Sequence, residues 1–181
     1  TPTLTSTHSP ATFDVTAKAA NIAANATAGT VSGTFDNVMY DTSATAPADA
    51  GSYAVTADFV PTDDANYNSV TAVAVGNFVI NKALSTTAVT CTAGPFAYTG
   101  AAQAPCTATV TGLGGLNLAL TVNYSNNTNA GTATAAASYA ATANYLGSSD
   151  STTFTIGKAA TTTAVTCDPG PFVYTGSAQT P

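Results

Sequence analysis

Residues 83–105, ALSTTAVTCTAGPFAYTGAAQAP, recur as residues 159–181, AATTTAVTCDPGPFVYTGSAQTP. Sixteen of the twenty-three positions are identical, at a fixed offset of 76 residues. Self-similarity at such a period is the mark of a tandem array, in which each repeat is one supersecondary unit. A chain of 181 residues then divides into residues 1–82, residues 83–158, and the opening of a further, incomplete repeat at 159–181. Units of about 80 residues are small for a self-sufficient core, so an additional source of stability is expected.

The cysteines supply a candidate. Cys91 and Cys167 occupy the same repeat position, and the equivalent of Cys106 would fall at 182. We therefore expect a Cys91–Cys106 disulfide, with the partner of Cys167 beyond residue 181. Closing a loop of that size contributes about 3 kcal/mol in the chain-entropy model and implies an oxidising, extracytoplasmic compartment. A pair of buried free thiols is the alternative. Zinc fits less well, because two cysteines without a neighbouring histidine do not make four ligands.

Composition narrows the function classes. The chain has no Glu, Arg or Trp, a single histidine (His8), nine Asp against Lys18, Lys82 and Lys158, and a net charge of −6. Thr alone supplies about a fifth of the residues. A pI near 4.1 without arginine argues against nucleic-acid binding through phosphate neutralisation. No apolar run approaches the ~18 residues of a spanning helix, so no membrane insertion is expected in this stretch. No start Met or signal peptide is present, which fits a processed chain or an excerpt.

Residues 1–10 read as a linker or an entry segment. Strand signals follow at Phe13 and Val15, and residues 17–30, although Ala-rich, read as loop and short strand. A strand is expected near 35–40. Tyr53, Val55, Ala57 and Phe59 alternate cleanly, and Val73, Val75, Phe78 and Ile80 keep the two-residue period across a Gly-Asn break. In the second unit Leu116, Leu118, Leu120, Val122 and Tyr124 predict one long half-buried strand. Ala133–Ala137 alone would score as helix, but AGTATAAASY parallels AGSYAVTADF of the first unit, which makes it strand. Both units also carry Ala-Asn-Tyr (65–67, 143–145) and end on FVINK or FTIGK. Short strands between Pro, Gly, Asp and Asn clusters predict an all-β fold of tandem immunoglobulin-like β-sandwiches.

PFAYTGAAQAP, the AG…ADF and AG…ASY strands, the DDANYNS and TANYLGSS loops and the FVINKA and FTIGKA junctions resemble the bacterial Ig-like repeats of the MBG/YDG kind. Such repeats occur in tandem in very large surface proteins and adhesins. The resemblance implies sandwiches strung end to end on a secreted or wall-associated chain, and no catalytic residues. The first unit lacks the YTG…P segment and both cysteines, so it is a divergent member.

No chemical site rises clearly from the residues. One histidine, no Glu and no Arg leave no acid–base pair or phosphate clamp, so an enzyme is not expected, nor a cofactor. Lys82 and Lys158 hold equivalent positions and invite the idea of an intramolecular Lys–Asn or Lys–Asp isopeptide bond, for which Asp150 is the second unit's acid; solvated junction lysines explain them as well. Asp63, Asp64 and Asn66 offer oxygens to calcium, but turn chemistry accounts for them too. Asn25, Asn123 and Asn126 head glycosylation triplets that a chain rich in Thr and Asn contains by chance. Phe96, Tyr98, Phe172 and Tyr174 could stack sugars, though recurrence at the repeat period favours core packing.

The leading expectation is a structural repeat of an extracellular stalk, fibre or filament. The alternative is an adhesin module recognising glycan or a host surface through loops such as 41–50 or 125–130. Expected partners are neighbouring repeats of the same chain. Self-association is a further idea, with 159–181 as a segment donated by strand addition.

Overall fold

The computed structural model describes residues 3–6, 10–26 and 29–179. Among the described residues fourteen strands form four sheets. In the first unit these are β1 (Thr3–Ser6), β2 (Ala11–Thr12), β3 (Ile22–Ala26), β4 (Gly29–Thr30), β5 (Gly33–Tyr40), β6 (Gly51–Pro61) and β7 (Val70–Asn81). In the second they are β8 (Ser85–Cys91), β9 (Phe96–Ala97), β10 (Cys106–Gly112), β11 (Leu116–Leu120), β12 (Asn123–Ser125), β13 (Gly131–Tyr139) and β14 (Ser148–Gly157).

The two sets of seven share one topology. Sheet β1-β3-β4 matches β8-β10-β11, and sheet β2-β7-β6-β5 matches β9-β14-β13-β12. In each unit the second strand pairs parallel with the seventh: Ala11 opposite Ile80, and Phe96 opposite Ile156. The fold is an all-β sandwich, repeated.

Alternation builds both cores. Val55, Ala57 and Phe59 on β6 and Val75, Phe78 and Ile80 on β7 are buried, with Tyr53 and Val73 half-buried. The Gly-Asn break in β7 is a bulge: the register slips beside Val55, and Gly76 adopts φ +119. One extra residue resets the pleat so that Phe78 faces inward again. Asp58 on β6 braces two further bulges, accepting from the Ala72 N–H and from Asn37 Nδ2. Ala72 and Asn37 both have positive φ.

Ala133, Ala135 and Ala137 are the buried face of β13, beside Phe154 and Ile156 of β14. Polar groups tie the second unit's sheets together. The Val89 N–H of β8 donates to Asp150 of β14 at 2.7 Å. Tyr124 Oη accepts from the Cys106 N–H at 2.9 Å and donates to the Cys106 carbonyl at 2.8 Å.

Four expectations are corrected. Residues 1–10 are not only a linker: Thr3–Ser6 form β1, paired with β3, and Leu4 is buried in the first core. The alternation from Leu116 to Tyr124 is not one strand: β11 pairs with β10 in one sheet, β12 with β13 in the other, and Thr121–Val122 cross between them. Leu118 is consequently 52% exposed rather than in the core. The strand expected at Phe13 and Val15 ends at Thr12, and the Asp14 carboxylate accepts from the Thr16 N–H and turns the chain. Where opening strands are expected after Lys158, residues 159–179 form none and are exposed. The first strand of a unit takes its hydrogen bonds from the third, as β8 does from β10, and 159–179 contains no such partner.

A single compact globule of 17.8 kDa would expose about 8,000 Å². This chain exposes 11214 Å² and holds two separate core clusters, one per unit.

Candidate functional site

The cysteines come first. Cys91 ends β8, Cys106 opens β10, and the two face each other in register, joined by a disulfide. The bond therefore links neighbouring strands of one sheet and closes the loop that carries β9. Cys167 is free and exposed.

The remaining candidates scatter. Asp63 spends its carboxylate on Asn66, accepting from the backbone N–H at 3.2 Å and from Nδ2 at 2.8 Å. Asp64 is exposed in the same loop. Among the described residues no cluster of three His, Cys, Asp or Glu is assembled. Lys82 Nζ donates to the Thr142 carbonyl at 2.6 Å, and the Asp150 carboxylate accepts from the Val89 N–H. Asn123 and Asn126 are exposed on β12 and in the turn after it. The Asn25 side chain and His8 lie outside the described residues. Phe96 packs edge-on against Phe154 at 5.7 Å, whereas Tyr98 is 43% exposed and Phe172 and Tyr174 are exposed.

What the fold does bring together is the junction of the two units, where Ala83 is fully buried. The 142–146 loop of the second unit closes over it. The Ala83 N–H donates to the Asn144 carbonyl, and the Leu146 N–H donates to the Ala83 carbonyl, both at 2.9 Å. The Asn144 side chain reaches across to the first unit: Oδ1 accepts from the Ala50 N–H at 2.8 Å, and Nδ2 donates to Asp49 Oδ1 at 2.9 Å.

Tyr145 sits edge-on to Phe13, ring centroids 5.3 Å apart, while its hydroxyl donates to the Leu113 carbonyl at 2.6 Å. Phe13 is buried by this contact and by the first core. The turn at Leu113–Gly115 lies against the same junction: a Cβ on Gly114, whose φ is +72, would come within 2.7 Å of Val15 Cγ1. Charge-assisted, aromatic and backbone contacts thus clasp one unit to the next, which a flexible linker does not do.

Sequence reasoning singled out Ala-Asn-Tyr at 143–145 as a repeat marker without seeing its task. A polar-aromatic pair recurring in a loop was the available signal, since loop residues repeat for contacts rather than for core packing.

Two seven-stranded sandwiches of one topology, clasped end to end, define a tandem-repeat protein of the β-sandwich class. Residues 2–84 match the family model of the MBG domain, so the first unit is similar to an MBG-type repeat. Comparison with curated proteins and with solved structures found no match. Among the described residues no helix is long and apolar enough to cross a membrane.

Proposed function

We propose that the chain is a spacer segment in the stalk or fibre of an extracellular protein, built of MBG-type sandwiches in series, with residues 1–82 and 83–158 as successive repeats. The observation that carries this reading is the clasp around Ala83, where Asn144 and Tyr145 hold the second unit against Phe13, Asp49 and Ala50 of the first. A chain that fixes the geometry between repeats transmits position and force. The disulfide supports an oxidising location, as does the family whose model the first unit matches.

In this reading the chain performs no catalysis, and its partners are other repeats. The rival is an adhesive module reading glycans through its loops. Loop 41–50 ends on Asp49 and Ala50, which the clasp engages. Loop 125–130 is pinned by Asn127 and Gln103, whose backbone and side-chain groups bond each other at 2.8 Å. Both loops are thus committed to structure. Screening the whole chain on a glycan array tests the two readings. A spacer shows no saturable binding to any glycan; saturable binding abolished by substitutions in loop 41–50 or 125–130 would overturn it in favour of the adhesin.

A further inference from the structure

The second unit carries an unoccupied copy of the surface that the clasp uses on the first. Strand register makes the match residue by residue. The Phe13 N–H donates to the Asn81 carbonyl, and the Tyr98 N–H donates to the Gly157 carbonyl, so Tyr98 stands where Phe13 does. Ala50 precedes Gly51 at the start of β6, as Ala130 precedes Gly131 at the start of β13. Lys158 and Ala159 follow FTIG as Lys82 and Ala83 follow FVIN.

These four counterparts, Tyr98, Ala130, Lys158 and Ala159, line one groove together with Thr161. The exposures differ as an empty and a filled copy must. Phe13 is 5% exposed and Ala83 0%, whereas Tyr98 is 43% exposed and Ala130 and Ala159 are open to solvent.

We propose that this groove is the docking surface for the Asn-Tyr loop of a following repeat of the same chain, whose opening is the echo beginning at Ala159. The inference rests on the spacer reading above and sharpens it into a joint of fixed chemistry. The incoming asparagine Oδ1 accepts from the Ala130 N–H, as Asn144 does from Ala50. Its Nδ2 faces Asn129, the counterpart of Asp49, and the incoming tyrosine packs on Tyr98. Among the described residues the Ala130 N–H meets no such carboxamide.

The test lengthens the intact chain with its own repeat: residues 1–158 followed by residues 83–181, which preserves the Lys-Ala junction. Amide exchange at Ala130 is compared with that in the 181-residue chain. The expected result is slowing by about tenfold, the worth of one added hydrogen bond, reversed by Asn144→Ala in the appended copy alone. The appended unit repeats a sequence that lies behind the same Lys-Ala junction in the intact chain, and matched amide exchange along its β13 verifies that it is folded beside the groove.

Unchanged exchange at Ala130 in the lengthened chain, or slowing that survives loss of the asparagine, overturns the proposal. Repeats joined without a clasp would still be spacers, so this failure is distinct from glycan binding, which alone removes the spacer reading.

Discussion

At the scale of single residues, the chain uses its few charges locally. Asp14 turns the chain after β2 and accepts from Lys18 Nζ at 2.6 Å and from the Thr16 hydroxyl. The Lys18 hydrogen bond, followed by those from Thr16, holds the Asp14 carboxyl down from 3.8 to about 2. A carboxylate whose folded value lies below its unfolded one adds stability above the unfolded value. That contribution is complete above about pH 4 and is lost as the pH falls through about 2. In a carboxyl-detected NMR titration Asp14 should show a midpoint near 2, moving up toward the ordinary range in Lys18→Ala; a midpoint at 3.8 or higher in the native chain would contradict the turn as described. Tyr53 moves the opposite way, raised first by burial and then by the Asp49 and Asp41 carboxylates. The clasp is likewise a matter of individual groups, and Asn144 is its centre because one carboxamide both accepts and donates.

At the scale of elements, the second unit depends on a staple. With few large buried side chains besides Phe154 and Ile156, the disulfide from β8 to β10 contributes a sizeable share of its stability. Replacing both Cys91 and Cys106 by Ala should lower the unfolding free energy of residues 83–157 by about 3 kcal/mol, read by urea unfolding with amide exchange along β13. A loss below about 1 kcal/mol would show the staple to be dispensable.

The elements also show where sequence is transparent. Strand β13 was legible despite its alanines, because the first unit spells the same strand with Val55 and Phe59. Helix propensity yields to tertiary context there: a row of small side chains lets the facing sheet approach. The Leu116–Tyr124 segment was misleading for the opposite reason. Its two-residue period persists through Thr121–Val122, where no Gly or Pro marks the change of sheet, so periodicity alone cannot register the crossing. Tyr98 was opaque because recurrence at the repeat period is shared by core residues and by residues of a repeated joint.

At the scale of the whole molecule, repetition accounts for both the fold and the proposed role. Each sandwich ends on the same Lys-Ala step, and at the first of them the second unit folds its Asn-Tyr loop back over it. The first such joint is filled, burying Phe13 and Ala83, and the counterpart at Tyr98 stands open. A segmented stalk, the proposed role, would owe its reach to the stiffness of the joints as much as to the length of the domains. That stiffness is accessible in solution through residual dipolar couplings of the backbone amides in weakly aligned, intact chain. One alignment tensor should fit the couplings of residues 10–26 and 29–81 together with those of residues 85–157, and the double substitution Asn144→Ala, Tyr145→Ala should split it into two. Two unequal tensors in the unsubstituted chain would contradict a fixed joint and leave the units as independently tumbling beads.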